Sequence, residues 1–158
     1  MTAKVIDGVA VAAHIRSDLK SRVSSLLSKG ITPGLAVIVA GADPASAVYV
    51  RNKIRACAEV GIKSFRYDFP ADTKPPAVLE LIQQLNERKD VHGILVQLPL
   101  PSHIRESEVI RAIHPKKDVD GFHPINQGLL MQGQPVFIPA TPLGIQLLLQ
   151  HYQIETAG

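Results

Sequence analysis

The chain has no tryptophan, and only 4% of its 158 residues are aromatic, so it lacks the stacking platforms on which single-stranded nucleic acids are held. It has one cysteine, Cys57, which excludes an internal disulfide and a zinc site of several thiolates and fits a reducing compartment. It has no large excess of one charge: 17 basic against 14 acidic residues give a net of +3, too small and dispersed for a nucleic-acid surface. No window approaches the ~18 consecutive apolar residues of a membrane span, and the N-terminal segment carries Asp7, Arg16 and Asp18 where a signal peptide needs an apolar core. No Walker A, GxGxxG, GxSxG or HExxH string is present. The six histidines, His14, His92, His103, His114, His123 and His151, show no close metal spacing and are expected on the surface or in loops, with His123 alone near the candidate site. These exclusions leave the expectation of a soluble, cytoplasmic domain with 46% hydrophobic residues, enough for one core.

What is present alternates between strand and helix signals. Gly8 to Gly30 places Ile15, Leu19, Val23, Leu26 and Leu27 at spacings of three and four, the stripe of an amphipathic helix closed by Gly30. Leu35 to Ala40 is a continuous apolar run, as expected of a strand buried on both faces. Asp43 suits an N-cap and Pro44 a first helical turn, so a helix is expected to about Val60, stopped by Gly61. Ile62 to Phe69 reads as a partly polar strand nearer a sheet edge, and Pro75–Pro76 opens a helix with Val78, Ile82 and Leu85 as its buried line. A second apolar strand starts at Gly93. This order predicts an α/β fold of three layers, α/β/α, with a mostly parallel sheet and right-handed crossovers. Beyond it, Ile104 to Ile113 is expected as a short helix, His114 to Asn126 as an ordered loop, and Leu143 to Tyr152 as a helix after a proline-broken stretch.

Three features carry chemistry. The run GILVQLPLP, Gly93 to Pro101, puts the amide of Gln97 inside an apolar strand, ended by Pro99 and Pro101. A buried unpaired amide costs roughly 1–3 kcal/mol, so Gln97 should face a definite partner. On the helix from Pro44, a turn of ~100° per residue puts Ala47, Val50, Ile54, Cys57 and Ala58 on the apolar side. Arg51, Asn52, Arg55 and Glu59 lie opposite, and Ser46, Tyr49 and Lys53 form a polar seam at the apolar border. A lysine there sits beside low-dielectric surroundings that prepare it for proton transfer, although a lone helix lysine is far more often a snorkelling surface residue. In KKDVDGF, Lys116 to Phe122, Asp118 and Asp120 read either as an Asx turn or as a carboxylate offered to a ligand. Asp120 would suit the amino-pyrimidine edge of a pterin or purine.

Taken together, DPASAVYVRNK (43–53), GILVQLPLP (93–101), HPKKDVDGFHPIN (114–126) and PATPLG (139–144) closely resemble the methylenetetrahydrofolate dehydrogenase/methenyltetrahydrofolate cyclohydrolase family, in order and over nearly the whole chain. The resemblance implies a folate cleft lined by Tyr49 and Lys53, with Gln97 hydrogen-bonding the lysine, Val96 and Leu98 beside it against the substrate, and Asp120 holding the pterin. The catalytic set it implies is Lys53, Gln97, Tyr49 and Asp120. The activity it implies is oxidation of 5,10-methylenetetrahydrofolate with NADP (NAD in some members) and hydrolysis of the methenyl product to 10-formyltetrahydrofolate. Tetrahydrofolate derivatives are the implied partners, with no metal, nucleic acid or membrane, and the parent enzyme is implied to be a homodimer.

Two departures stand out. Ala140 replaces the Cys common before the family's TPxG string, near the cofactor side. The family also continues into a Rossmann-like NADP-binding domain whose glycine-rich turn is not found before Gly158. The expectation is therefore a truncated chain: a folate-binding catalytic domain over 1–121, and over 122–158 a linker with the first helix of the NADP-binding domain. The main NADP site would then lie outside it, and hydride transfer by this chain alone is not expected. Leu143, Leu147, Leu148 and Leu149 are expected to present apolar surface without a packing partner. Two other readings stand beside this one: a catalytically inert folate-binding module, and a ligand-free α/β interaction domain in which Lys53 and Gln97 merely satisfy each other.

Overall fold

The structure, a computed structural model, describes residues 5–41 and 43–156. β1 (Gly34–Ala40) has parallel neighbours on both sides, β2 (Lys63–Phe69) and β3 (Gly93–Val96), in the order β2-β1-β3. The register pairs Gly34 with Lys63 through Ala40 with Phe69, and Leu35 with Gly93 through Ile38 with Val96. Every residue of β1 except Leu35 is buried, whereas β2, at an edge, exposes Lys63, Arg66 and Asp68.

The period of two divides the side chains of β1 between two cores. Ala36, Ile38 and Ala40, with Ile94 and Val96, pack against Val78, Ile82 and Leu85 of α3 (Pro75–Glu87) and Val109 of α4 (Glu106–Ala112). On the opposite face Val37, Val39 and Leu95 pack against Val50 of α2 (Pro44–Val60), with Leu35, Ile54 and Val119 beside them. Helices therefore cover both faces of a wholly parallel sheet, the expected three-layer α/β/α arrangement. α1 (Gly8–Leu27) lies on α2. Its buried anchors are Val11 and Val23 rather than the whole predicted stripe: Leu26 and Leu27 are exposed, although Leu27 still reaches Gly61 at the end of α2. Among the described residues no helix is long and apolar enough to cross a membrane.

The segment after β3 departs from expectation in three places. The loop expected over 114–126 holds a 3-10 turn, Pro115–Lys117, and then opens a helix, α5 (Pro124–Met131). His123, expected on the surface or in a loop, is buried as the N-cap of α5, and its Nδ1 accepts from the Ile125 N–H at 3.1 Å. α6 (Ala140–His151) starts three residues before the expected Leu143, since Pro142 is tolerated within a first helical turn. Of the leucines expected to lie bare on α6, Leu148 reaches Gly8 of α1. Leu149, also among them, lines an apolar groove on α6 of about 320 Å³ together with Ile145, Ile154, Pro142, Gln146 and Gln150.

Candidate active site

β3 ends at Val96, so Gln97 stands just past the strand rather than within it, as the apolar run had predicted. Its N–H still donates to the Ile38 carbonyl at 2.9 Å, and this last ladder bond fixes where the side chain projects. The amide has the partners its position demands: Oε1 accepts from Lys53 Nζ at 3.2 Å, and Nε2 donates to the Leu98 carbonyl at 2.8 Å. Donor and acceptor are both used, so a half-buried amide beside an apolar strand end carries no desolvation penalty for want of a partner.

Lys53 comes from α2, whose start and stop are set locally. The Asp43 carboxylate caps the helix by accepting from Ser46 N–H at 2.8 Å and from Ser46 Oγ at 2.7 Å, and Gly61, at φ 87°, closes it in the left-handed region. Ser46 is thus a buried capping residue and does not join the polar seam predicted for it. Tyr49 and Lys53, one turn apart, do share a face: both line the cleft, with Lys53 half-buried and Tyr49 63% exposed.

The structure separates the two aspartates of DVDGF. Asp118 is buried and forms a parallel bridge with Ile94, which lays the loop along the outer edge of β3. Its carboxylate accepts from the N–H groups of Phe122 and His123 at 3.3 and 2.8 Å and from Asn126 Nδ2 at 2.8 Å, so it is the structural, turn-forming member of the pair. Val119 packs over Gly93, where a Cβ would lie 2.5 Å from Val119 Cγ1. Asp120 then faces the cleft. Burial raises its carboxyl above the usual range, Lys53 draws it back down, and Asp118 pushes it up. At Gly121, φ 70°, a Cβ would stand 3.0 Å from Pro139 N, so the absence of a side chain is what lets the 138–139 backbone close on the loop.

These elements enclose a cleft of about 530 Å³, within the range of small-ligand sites. Tyr49 and Lys53 form one wall; Val96, Gln97 and Leu98 form the strand-end floor; Asp120 and Phe122 form the opposite wall; Pro139 to Pro142 form the rim. All six residues predicted for the site, Tyr49, Lys53, Val96, Gln97, Leu98 and Asp120, are brought together here. Phe122, Pro139, Thr141 and Pro142 were missed as lining residues. Phe122 stands inside the motif that drew attention to Asp120, and a helix beginning at Ala140 would have shown that the rim is a first helical turn. The site offers a cation held by an amide, a carboxylate across from it, and two partly exposed aromatic rings, Tyr49 and Phe122, the latter 40% exposed. Such a set suits a flat, polar-edged ligand. Among the described residues no group of His, Cys, Asp and Glu is placed to hold a metal ion.

Comparison with known proteins gives a consistent result. The pattern of the family described as "Tetrahydrofolate dehydrogenase/cyclohydrolase, catalytic domain" matches residues 6–120. The bifunctional protein FolD of Geobacillus thermodenitrificans is 54% identical over 158 residues, all of this chain and 56% of that protein. The FolD protein of Ruminiclostridium cellulolyticum is 52% identical over the same length, again 56% of its own. Among solved structures, the Campylobacter jejuni FolD methylenetetrahydrofolate dehydrogenase/cyclohydrolase superposes with a TM-score of 0.95 at 47% identity, covering 98% of this chain and 55% of that one. The Trypanosoma brucei enzyme, solved with NADP cofactor and an inhibitor, gives 0.96 at 37% identity, covering 100% and 55%. The chain spans about half the length of the curated relatives it matches.

Proposed function

From the premise that this chain belongs to the tetrahydrofolate dehydrogenase/cyclohydrolase family, we propose that its cleft binds tetrahydrofolate derivatives and hydrolyses 5,10-methenyltetrahydrofolate to 10-formyltetrahydrofolate. In the longer proteins of the family the same cleft would be the folate side of the methylene oxidation. The observation that carries this reading is the Lys53 Nζ to Gln97 Oε1 bond of 3.2 Å in a cleft whose opposite polar wall is Asp120.

In this reading each side chain of the cleft has a role. Asp120, a carboxylate with two acceptor oxygens, anchors the amino-pyrimidine edge of the pterin. Tyr49 stacks on the folate and sets its angle, with Val96 and Leu98 against its apolar surface. The bridge carbon then lies near Lys53, which Gln97 holds in one direction. Lys53 orients a water for addition to the cationic bridge carbon, and the proton that the water releases passes to solvent. The carbon–nitrogen bond at N5 then breaks as the new hydroxyl gives its proton to N5, and the formyl group stays on N10.

NADP is the hydride acceptor in this reading, and its phosphates do not fit the turns that open α2 and α3. The turn from β1 into α2 has its helix N-terminus occupied by the Asp43 carboxylate, which would repel a phosphate. The turn into α3 opens with Pro75 and Pro76, which have no N–H to offer. No hydride step is assigned to these residues. The same reading divides the chain into a folate-binding domain over 1–121 and a connecting part over 122–158, whose helix α6 brings the rim to the cleft. It places the protein in the cytoplasm, supplying formyl groups to purine biosynthesis.

Calorimetric titration with tetrahydrofolate tests the binding half. Asp120→Ala should weaken affinity at least about tenfold, the scale of one lost charge-assisted hydrogen bond, while Lys53→Met should leave it largely intact. Equal binding by wild type and Asp120→Ala would overturn the assignment.

A further inference from the structure

Three of the four buried polar side chains among the described residues, Asp118, His123 and Asn126, lie within nine positions of one another, around the residue that faces the cleft. Asp118 and Asn126 are each only 2% exposed. A carboxylate that deep needs donors, and it has them in the Phe122 and His123 N–H groups and Asn126 Nδ2. Asn126 Nδ2 is shared: it also donates to the Pro115 carbonyl at 2.9 Å. The single amide of Asn126 therefore ties the chain before Asp120, at Pro115, to the carboxylate that ties the chain after it, at Phe122 and His123. Val119 against Gly93 and Gly121 against the 138–139 backbone hold the two residues flanking Asp120.

We propose that Asn126, acting through Asp118, is the positioning residue that aims Asp120 into the cleft. The ligand end of this inference rests on the folate reading; the positioning end does not. Without the Asn126 amide, Asp118 keeps two backbone donors but loses its tie to Pro115, and Asp120 swings toward solvent while the fold remains.

Two measurements on the full chain separate these ends. In a carboxyl-carbon NMR titration, Asn126→Ala should bring Asp120 from its raised position down toward the ordinary carboxylate range while the exposed carboxylates stay where they were. In calorimetry with tetrahydrofolate, Asn126→Ala should weaken binding about tenfold, and in an Asp120→Ala background it should cost nothing further. An unchanged Asp120 titration in folded Asn126→Ala, or losses that simply add, would overturn the positioning role. Absence of tetrahydrofolate binding by the wild type would overturn the folate reading and leave the titration to decide the positioning. If Asn126→Ala fails to fold, Asp118→Asn, of unchanged shape but with an amide turned on two donors, takes its place. Loss of the fold in both would make the network purely structural and overturn the proposal.

Discussion

Asp120, the proposed pterin anchor, is held in the cleft at the expense of stability. Its carboxyl is raised mainly by burial, so the folded chain binds that proton more tightly than the unfolded chain does. Stability is then greatest below the ordinary Asp range, falls as pH rises through the raised value, and stays lower at neutral pH. Asp120→Asn removes this slope. Thermal melts should show the variant more stable than wild type at neutral pH, with the difference gone below the ordinary Asp value of about 3.9, and tetrahydrofolate affinity should drop at both. A variant less stable at neutral pH would contradict the burial account. The sequence offered Asp120 to a ligand and left a turn role open to both Asp118 and Asp120. The bridge from Ile94 to Asp118, a contact between residues 24 apart, and the donors around the Asp118 carboxylate give the turn role to Asp118.

At the scale of elements, the cleft depends on how helices end and loops close. The C-terminal carbonyls of α3 are capped by Lys117, whose Nζ donates to Leu85, Asn86 and Arg88 carbonyls at 2.9, 2.7 and 2.8 Å, and burial lowers its pKa. Lys117→Met leaves those carbonyls without their donor and should lower unfolding free energy by about 1–3 kcal/mol in urea titration; a change below a few tenths would show that water replaces the ammonium. Gly121→Ala imposes a side chain at φ 70° and a Cβ 3.0 Å from Pro139 N. It should destabilise by about 1–2 kcal/mol and also weaken tetrahydrofolate binding, because the rim is pushed away from the loop. Loss of stability with unchanged affinity would mean that the rim does not touch ligand. α1, α2, α3 and the strands were legible because periodicity, caps and glycine stops agreed. α5 was not, since His123–Pro124 was read as loop punctuation when the same pair is an N-cap followed by a first-turn proline.

For the whole molecule, the alternation of apolar runs and amphipathic stretches was enough to predict a parallel sheet between helical layers, and the end of its strand β3 as the place for a site. The pairing of Lys53 with an amide at position 97 was also legible in outline: a polar group in an apolar run must find a partner, and the lysine lay on the buried border of its helix. What was not legible is the far side of the cleft. Phe122 and the 139–142 rim reach it through the Gly121 closure and the start of α6, tertiary contacts that no local pattern encodes.

In the proposed reaction Lys53, held by Gln97, promotes addition of water to the bridge carbon within this chain. The most direct measurement is the loss of near-ultraviolet absorbance of 5,10-methenyltetrahydrofolate on mixing with purified chain, beside Lys53→Met and buffer alone. Loss faster than the buffer rate is expected for the wild type, reduced about a hundredfold in the variant, the scale of losing the group that positions the attacking water. Equal rates for wild type and Lys53→Met, with ligand bound by both, would contradict it.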